Sequence, residues 1–327
     1  MRILVTGGAG YIGSHAVRLL ARAGHDVWSY DNLCLGHRQA VPTGRLIVGE
    51  LNDRALLEGT LREKNIEAVM HFAAFSLVGE SVANPAIYYQ NNLASSLSLL
   101  ESMRAAGVTR IVLSSTTATY GAPEHTPIAE DTPQRPINPY GFTKLVVEHA
   151  LADYARAYGF AYAALRYFNA SGASADAEIG EDHKPESHLI PLVLQVALGQ
   201  RESITIFGED YPTPDGTCIR DYIHVDDLGS AHIKALERLR PGHGILCNLG
   251  IGRGYSVREV IDACRRVTGH KIPAVVGPRR PGDPPELIAD ATRARRELDW
   301  QPAYNDLEQI VATAWQWHRT HPNGYGE

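Results

Sequence analysis

The chain has little of what would link it to an oxidising compartment or a membrane. Its 327 residues include only four cysteines, which stand far apart and never in a C-x-x-C pair. That spacing favours reduced, individually buried thiols over disulfides or a zinc site, and no metal is predicted. No apolar run is long enough to cross a bilayer, and no signal-peptide core precedes the first apolar segment, so we expect a cytoplasmic protein.

The charge balance argues against nucleic acid as a partner. The chain has 31 Lys and Arg against 37 Asp and Glu, a formal net charge of −6. This leaves no basic surface for a polyanion, although separate arginines could still line one local anionic pocket. With 44% hydrophobic and 21% charged residues, the composition is typical of a globular protein of enzyme size.

The N-terminal segment combines a strand, a glycine-rich turn and a helix. The apolar Ile3-Leu4-Val5 is followed by Gly7-Gly8-Ala9-Gly10-Tyr11-Ile12-Gly13 and then by a helical pattern. Glycines at these spacings let backbone approach a pyrophosphate at a helix N-terminus. A second strand, residues 27–30, ends in Asp31, whose carboxylate can accept hydrogen bonds from a ribose diol and would repel a 2′-phosphate. The pattern predicts NAD rather than NADP, with a cofactor-free tight turn as the alternative.

Strand and helix patterns then alternate along the chain. Further apolar strands are predicted at residues 46–48, 68–72 and 110–115, and helices at 55–64, 85–106 and 189–198. Such alternation predicts an α/β fold with a doubly wound parallel sheet of the Rossmann type, whose ligand lies at the carboxyl ends of the strands. We expect an NAD-binding domain over residues 1–170 and a smaller α/β substrate domain over residues 171–327, with some segments returning to the first domain.

A tyrosine and a lysine four positions apart, Tyr140 and Lys144, begin a predicted helix. This spacing puts the phenol and the ammonium on one helix face, where the positive charge favours the phenolate. Thr116 leaves the preceding strand, so its hydroxyl could reach the same reacting oxygen as Tyr140. The three residues together predict a proton shuttle. The alternatives are a packed ring beside a solvated charge and a strand-end hydroxyl bonded to backbone.

Motifs along nearly the whole chain carry a resemblance to a known family. In the first half they are the glycine turn, Asp31-Asn32, His71-Phe72-Ala73-Ala74, Tyr88-Tyr89-Gln90-Asn91-Asn92, Ser114-Ser115-Thr116, Tyr140-Gly141-Phe142-Thr143-Lys144 and Arg166-Tyr167-Phe168-Asn169. In the second half they are residues 207–213, 215–217, 220–225 and 279–283. Together they resemble the extended short-chain dehydrogenase/reductases and, among these, the UDP-hexose 4-epimerases. The segment 207–225 is specific to the epimerases.

The resemblance implies an NAD-dependent isomerase that inverts C4 of the hexose in UDP-glucose and UDP-galactose. In this scheme Tyr140 as phenolate takes the proton of the 4-hydroxyl, and Thr116 holds the 4-oxygen. Lys144 and the positive nicotinamide lower the pKa of the phenol, and Lys144 also bonds the nicotinamide ribose. A hydride passes from C4 to NAD and returns to the opposite face of a 4-keto sugar, so NAD stays bound throughout. A homodimer through the 85–106 helix and the Tyr140 helix is also implied.

The same resemblance assigns the binding residues. For NAD they are Gly7, Gly10, Tyr11, Ile12, Gly13, Asp31, Asn32, Glu50, Leu51, Phe72, Ala73, Ala74, Asn91, Ser114, Tyr140, Lys144 and Phe168. For the UDP-sugar they are Thr116, Tyr140, Asn169, His188, Leu189, Thr205, Ile206, Phe207, Arg220, Arg280, Asp283 and Leu287. The arginines also suit a diphosphate on chemical grounds, because the guanidinium fork matches phosphate oxygens.

Some positions depart from the family pattern. Glu50 stands where an aspartate is frequent, and Ser76 replaces a lysine that often touches the NAD pyrophosphate. Leu287 is intermediate in size where a side chain decides whether an N-acetyl group fits, so an epimerase of UDP-N-acetylhexosamines or pentoses is the nearest alternative. A 4,6-dehydratase would need an acid and a base where Thr117 and Ala118 stand. A non-catalytic NAD-binding protein is opposed by the presence of Thr116, Tyr140 and Lys144 together.

Overall fold

The computed structural model describes residues 1–280 and 282–326. Numbered in chain order, the strands are β1 (Arg2–Thr6), β2 (Asp26–Asp31), β3 (Leu46–Val48), β4 (Ala68–His71), β5 (Arg110–Thr116), β6 (Ala161–Tyr167), β7 (Asn169–Ser171), β8 (Ile204–Phe207), β9 (Ile219–His224), β10 (Gly244–Leu249), β11 (Gly254–Ser256), β12 (Ala274–Gly277) and β13 (Glu286–Leu287). The helices are α1 (Tyr11–Arg22), α2 (Arg54–Glu63), α3 (Val78–Ala83), α4 (Pro85–Tyr88), α5 (Ser95–Ala106), α6 (Pro139–Tyr158), α7 (Leu189–Ala197), α8 (Val225–Arg238), α9 (Val257–Thr268), α10 (Thr292–Leu298) and α11 (Leu307–Thr320). None of the helices within the described residues is long and apolar enough to cross a membrane.

A seven-stranded sheet organises the molecule. Its strand order is β3-β2-β1-β4-β5-β6-β10, and every neighbouring pair is parallel. The chain proceeds in one direction from β1 to β3 and in the other from β4 onward, so the order reverses between β1 and β4. In sheets of this kind the reversal opens a crevice at the carboxyl ends of the strands. The predicted doubly wound α/β fold is confirmed.

Helices cover both faces of this sheet because its strands are apolar on both sides. Ile3 and Val5 of β1 face a core shared with α1, α8 and α10. Leu4, between them in sequence, faces the opposite core, which α2, α5 and α6 complete. Strand alternation thus divides one short apolar run between two separate cores.

A smaller region packs against the carboxyl ends of these strands. In it β9 pairs with β7, β11 and β13, while β8 pairs with β12 alone. Its core lies between α7, α9 and α11 and is built on residues such as Ile190, Val260 and Ile310. Although it follows this region's first strands in sequence, β10 lies in the large sheet. The division at residues 170 and 171 stays a prediction.

The helix predicted over residues 85–106 is not uniform. Between α4 and α5 the chain forms a π-helical stretch, Tyr89–Ala94. Asn92 lies in this stretch, and its side chain accepts from the Phe75 N–H at 2.8 Å and donates to the Phe75 carbonyl at 2.9 Å. Wide turns of this type are frequent at functional sites. Here the stretch carries Asn91 on the wall of the main cleft.

Candidate active site

A cleft of about 1440 Å³ opens at the carboxyl ends of the central strands, between the sheet and the smaller region. All residues that the sequence assigned to NAD line it. Of those assigned to the UDP-sugar, the lining includes Thr116, Tyr140, Asn169, His188, Arg280, Asp283 and Leu287. Ser76 also lines the cleft, so the position that departs from the family pattern faces the site. The topology therefore gathers residues from many separate segments around one space.

The glycine turn after β1 is closed by backbone contacts that exclude side chains. Gly7 has a φ of +71°, and a Cβ added at Gly13 would lie 2.0 Å from the Gly7 oxygen. Gly10 caps α1 without a side-chain hydrogen bond, and the first turn of α1 contains no acidic residue. The N–H groups and the positive dipole end of α1 are thus available to an anion in the cleft. This arrangement suits a pyrophosphate.

Asp31 lies at the end of β2, beside the turn. Its two carboxylate oxygens accept from the Ala9 N–H at 2.9 Å and the Leu33 N–H at 2.8 Å. Burial raises the pKa of this carboxyl group, and the two backbone hydrogen bonds oppose that change. Because each oxygen keeps a further lone pair, Asp31 can still accept from the hydroxyls of a ribose. Asn32 donates to Glu50 at 3.1 Å, which holds both residues at the same end of the cleft.

At the opposite end, α6 places Tyr140 and Lys144 against the end of β5. Asn138 caps the helix by accepting from the Gly141 N–H at 2.8 Å, and Pro139 occupies its first turn. A Cβ at Gly141 would lie 2.4 Å from the Ala118 oxygen, so the helix start packs closely on the segment after β5. This close packing places the Thr116 side chain beside the Tyr140 phenol, and their interaction lowers the pKa of the phenol.

The sequence interpretation expected Lys144 and the positive nicotinamide together to lower the pKa of Tyr140. Burial raises the pKa of the phenol, and only the hydrogen bond from Thr116 opposes that change. Lys144 is buried as well and donates to the Ser114 carbonyl at 2.7 Å. Burial lowers its pKa to about 8, against the attraction of Glu148. Ionising Tyr140 near neutral pH therefore requires further positive charge beside it.

A buried ion pair behind Lys144 was not identified from the sequence. Glu148 lies one turn further along α6 and binds Arg166 of β6 through both oxygens, at 3.0 and 2.5 Å. It also accepts from the Ser115 hydroxyl, and Arg166 donates to the Tyr120 hydroxyl at 2.7 Å. The available signal was an arginine inside an otherwise apolar strand, since a buried charge needs a partner.

The assigned sugar-side residues are only partly brought together. Leu189, Thr205, Ile206, Phe207 and Arg220 do not line the cleft. Arg220 is bound to Asp283, and 12% of its side chain is exposed, so it supports the wall from behind. Ile206 is buried in the core of the smaller region. The Arg280 guanidinium lies 4.1 Å from the centroid of the Phe207 ring and itself faces the cleft. Pro281 of the same motif lies outside the described residues.

Sequence reasoning also passed over part of the cleft wall. Glu181, His183 and His188 line the cleft within the loop between β7 and α7, yet only His188 was assigned a role. The signal that could have drawn attention to this loop is the alternation of acids and histidines in Glu181-Asp182-His183-Lys184-Pro185-Glu186-Ser187-His188.

Comparison with known proteins decides the family. Residues 3–250 match the sequence model of the NAD dependent epimerase/dehydratase family. The chain belongs to this family. Among the similar members of the epimerase/dehydratase family is a UDP-glucose 4-epimerase of Halalkalibacterium halodurans, 54% identical over 326 residues that cover 99% of this chain and 98% of that protein.

Solved structures of the epimerase/dehydratase family agree over the full length. One crystal structure of UDP-glucose 4-epimerase matches with a TM-score of 0.97 at 51% identity and covers 100% of both chains. That of UDP-glucose 4-epimerase from Bifidobacterium longum, in complex with NAD+ and UDP, matches with a TM-score of 0.94 at 40% identity. It covers 99% of this chain and 100% of that chain.

NAD, the cofactor of the family, fits the residues of this chain. A side chain at Gly13 would close the turn where a pyrophosphate must approach, and the uncapped start of α1 faces the same space. Asp31 lines the same cleft at the end of β2, where a carboxylate can accept from the hydroxyls of an adenosine ribose. Tyr140 and Lys144 stand at the other end, where the nicotinamide half would lie. NAD thus fits because the backbone can approach the pyrophosphate closely and the dipole of α1 favours its negative charge. The neutral Ser76 does not add the positive charge that a lysine would supply there.

Proposed function

We propose that this chain interconverts UDP-glucose and UDP-galactose by inverting C4 of the hexose, as an NAD-dependent UDP-hexose 4-epimerase acting in the cytoplasm. The observation that carries the proposal is the position of Thr116, Tyr140 and the buried Lys144 together in the wall of one cleft. This constellation lies in a cleft that also holds the glycine turn and Arg280. The names of the relatives support the same substrates.

NAD supplies the hydride acceptor and donor when it is bound. The chain's own part is proton transfer at the 4-oxygen of the sugar. Tyr140 takes this proton, and Thr116 orients the oxygen through its hydroxyl. A phenol with a pKa near 10 must shift by roughly 3 units to act at neutral pH, which needs about 4 kcal/mol of preferential phenolate stabilisation. Burial adds to this requirement, so Lys144 and a cationic ligand must both contribute.

Inversion also requires the sugar to present both of its faces to the same acceptor. In this proposal Arg280 and Asp283 hold the nucleotide and diphosphate at one end of the cleft. Leu287 and Asn169 border the space left for the hexose. The cleft volume of about 1440 Å³ is larger than roughly 1,000 Å³, the upper limit for most sites that bind one small molecule. A volume of this size suits a dinucleotide and a nucleotide sugar bound side by side. The hexose can then turn while the diphosphate stays bound.

The test is conversion of UDP-galactose to UDP-glucose by the purified protein without added reductant. Tyr140→Phe should lower the rate by about 10²- to 10⁴-fold, the usual value of a positioned proton-transfer group, while bound NAD is retained. Tyr158→Phe, at the exposed end of the same helix, is the matched control and should match wild type. Activity of Tyr140→Phe near that of the control would remove Tyr140 as the base.

The related dehydratase reaction has no support in the residues that follow β5. It needs an acid and a base immediately after Thr116. Thr117 instead donates its hydroxyl hydrogen to the Tyr167 carbonyl at 3.3 Å, and Ala118 has no titratable group. An epimerase of UDP-N-acetylhexosamines stays the nearest second candidate, because Leu287 lines the cleft and sets the available width.

We further propose a homodimer that pairs α5 and α6 with their counterparts in a second copy. Leu97 is 37% exposed and Phe142 is 44% exposed, and the ring of Tyr89 lies edge-on to Phe142. Leu100 and Leu151, which are also apolar residues of these two helices, are buried inside the subunit and cannot contribute. Light scattering at micromolar concentration should give twice the chain mass, and Leu97→Glu should reduce it toward one chain. A monomer mass for wild type would refute the dimer.

A further inference from the structure

Four side chains of the loop between β7 and α7 direct their ligand atoms toward one point. They are Glu181, His183, Glu186 and His188, and these atoms all lie within 4.8 Å of one another. The His188 Nδ1 lies 2.8 Å from Glu181 Oε1 and 2.9 Å from Glu186 Oε1. The His183 Nδ1 lies 3.1 Å from Glu181 Oε1 and 3.7 Å from Glu186 Oε2.

These separations are close to the edges of a small coordination tetrahedron, without being equal to them. Zinc bonds of about 2.0–2.2 Å to imidazole nitrogen and carboxylate oxygen place neighbouring ligand atoms about 3.3–3.6 Å apart. Three of the four distances are shorter than that range, by up to about 0.5 Å, and the fourth is slightly longer. The three closer pairs must therefore move apart slightly when a metal replaces the protons between them. Each histidine presents the same ring nitrogen, Nδ1. Two carboxylates and two imidazoles also form a complete four-ligand set without any contribution from water.

Burial makes a positive charge necessary at this point. The side chain of Glu181 is 4% exposed and that of Glu186 is 6% exposed. Two buried carboxylates this close together repel each other strongly unless nearby cations compensate their negative charge. Two protonated histidines would neutralise the pair, and so would one divalent cation bound by two neutral histidines. Both arrangements have zero net charge, so a metal replaces two protons without leaving a buried charge.

The surrounding backbone fixes the ligands in advance. Glu186 Oε1 accepts from the Ser187 N–H at 2.7 Å and from the His188 N–H at 2.8 Å. The edge of the His183 ring packs on Tyr11, with 6.1 Å between ring centroids. Hydrogen bonds and packing that orient ligands in this way are typical of metal sites.

We propose that Glu181, His183, Glu186 and His188 bind one divalent transition metal of the zinc class, which fixes this loop against Tyr11 in the wall of the main cleft. Two imidazoles select zinc and its neighbours over Mg²⁺ and Ca²⁺, which prefer oxygen ligands throughout. A second cavity of about 430 Å³ is lined by Glu181, His183 and Glu186 and gives the ion a route from solvent. The expectation of no metal rested on cysteine spacing and did not consider this loop.

The experiment uses the whole protein, purified without a metal-affinity tag and depleted of metal with a chelator. Titration with Zn²⁺, followed by elemental analysis after removal of loosely bound ion, should give about one Zn²⁺ per chain. His183→Ala and Glu181→Gln should each weaken Zn²⁺ binding by at least about tenfold. His125→Ala, at an exposed histidine outside the cluster, is the matched control and should bind as wild type does. Co²⁺ in the same site should give the strong visible absorption of tetrahedral coordination.

Two further readouts keep the result decisive if a variant folds poorly. Circular dichroism and retained NAD report whether each variant is folded. Thermal unfolding of the wild-type protein needs no variant, and its Tm should rise with Zn²⁺ concentration because only the folded chain assembles the site. Zn²⁺ bound equally well by folded His183→Ala and wild type would overturn the proposal. So would a wild-type Tm that does not respond to Zn²⁺, or a Co²⁺ spectrum of the weak, octahedral kind.

Discussion

The buried pair of Glu148 and Arg166 gives a prediction whose size follows from the structure. The Arg166 side chain is 2% exposed and that of Glu148 is 5% exposed. Glu148→Ala would leave the guanidinium in the interior without its two carboxylate bonds and would also remove the partner of the Ser115 hydroxyl. Breaking a buried ion pair from one side costs about 3–5 kcal/mol of unfolding free energy.

That loss converts into a measurable change in Tm. Unfolding entropy near 2.1 cal/mol/K per residue gives roughly 0.7 kcal/mol/K for a chain of 327 residues, so the expected decrease in Tm is about 4–7 °C. Scanning calorimetry or thermal circular dichroism would measure it. Asp153→Ala on the same helix is the matched control, because its pair with Arg156 is exposed and its loss should cost no more than about 0.5 kcal/mol.

The same substitution should change the pH profile of activity. Glu148 opposes the effect of burial on Lys144, whose pKa is lowered to about 8. Without Glu148 this pKa falls further, so Lys144 loses its charge at a lower pH and the alkaline decline of activity begins earlier. The double variant Glu148→Leu with Arg166→Met should recover most of the stability, since no unpaired charge is left. A Tm of Glu148→Ala equal to that of Asp153→Ala would refute the argument from burial.

Two further predictions concern the cofactor turn and the sugar pocket. Gly13→Ala should abolish retention of NAD, because the added Cβ would lie 2.0 Å from the Gly7 oxygen. The absorbance of the released cofactor measures this retention. Gly59→Ala, where nothing lies within 4 Å of the added Cβ, is the control and should retain NAD. Leu287→Tyr should lower kcat/KM on UDP-N-acetylgalactosamine by about 5- to 150-fold and Leu287→Ser should raise it, with UDP-galactose changed much less in both. NAD retained by Gly13→Ala, or equal responses of both substrates at position 287, would contradict these predictions.

Structure could be predicted from the sequence where a short segment alone determines the backbone geometry. The turn from Gly7 to Gly13 is one example, because glycine stands at the positions where a Cβ atom would clash with neighbouring backbone. Asp31 is another, since it lies at the end of β2 and beside the glycine turn, as its place in the sequence predicts. The alternation of strands and helices fixed the class of sheet for the same reason, and residues 2–6 form β1 as expected.

Features that depend on contacts between distant segments were not accessible in this way. Glu148 and Arg166 belong to different elements, so neither residue reveals the other in sequence. The π-helical stretch at Tyr89–Ala94 is held by a bond from Asn92 to the backbone of Phe75, seventeen positions earlier. The assignment of Arg220 to a diphosphate came from the family resemblance, and its contact with Asp283, sixty-three positions later, was not foreseen. In each case the deciding interaction is tertiary.

The burial of Tyr140 has a consequence for its proposed role in proton transfer. In the chain itself burial raises this pKa, and Lys144 is bonded to the Ser114 carbonyl and does not contact the phenol directly. Tyr140 is therefore neutral and a poor base until positive charge enters the cleft next to it. Burial disfavours the phenolate, but it also strengthens the attraction between a phenolate and a nearby positive charge. Ionisation of Tyr140 therefore depends strongly on whether a cationic ligand is bound in the cleft. If Tyr140 is the base, as we propose, its environment keeps it neutral until its ligands are bound.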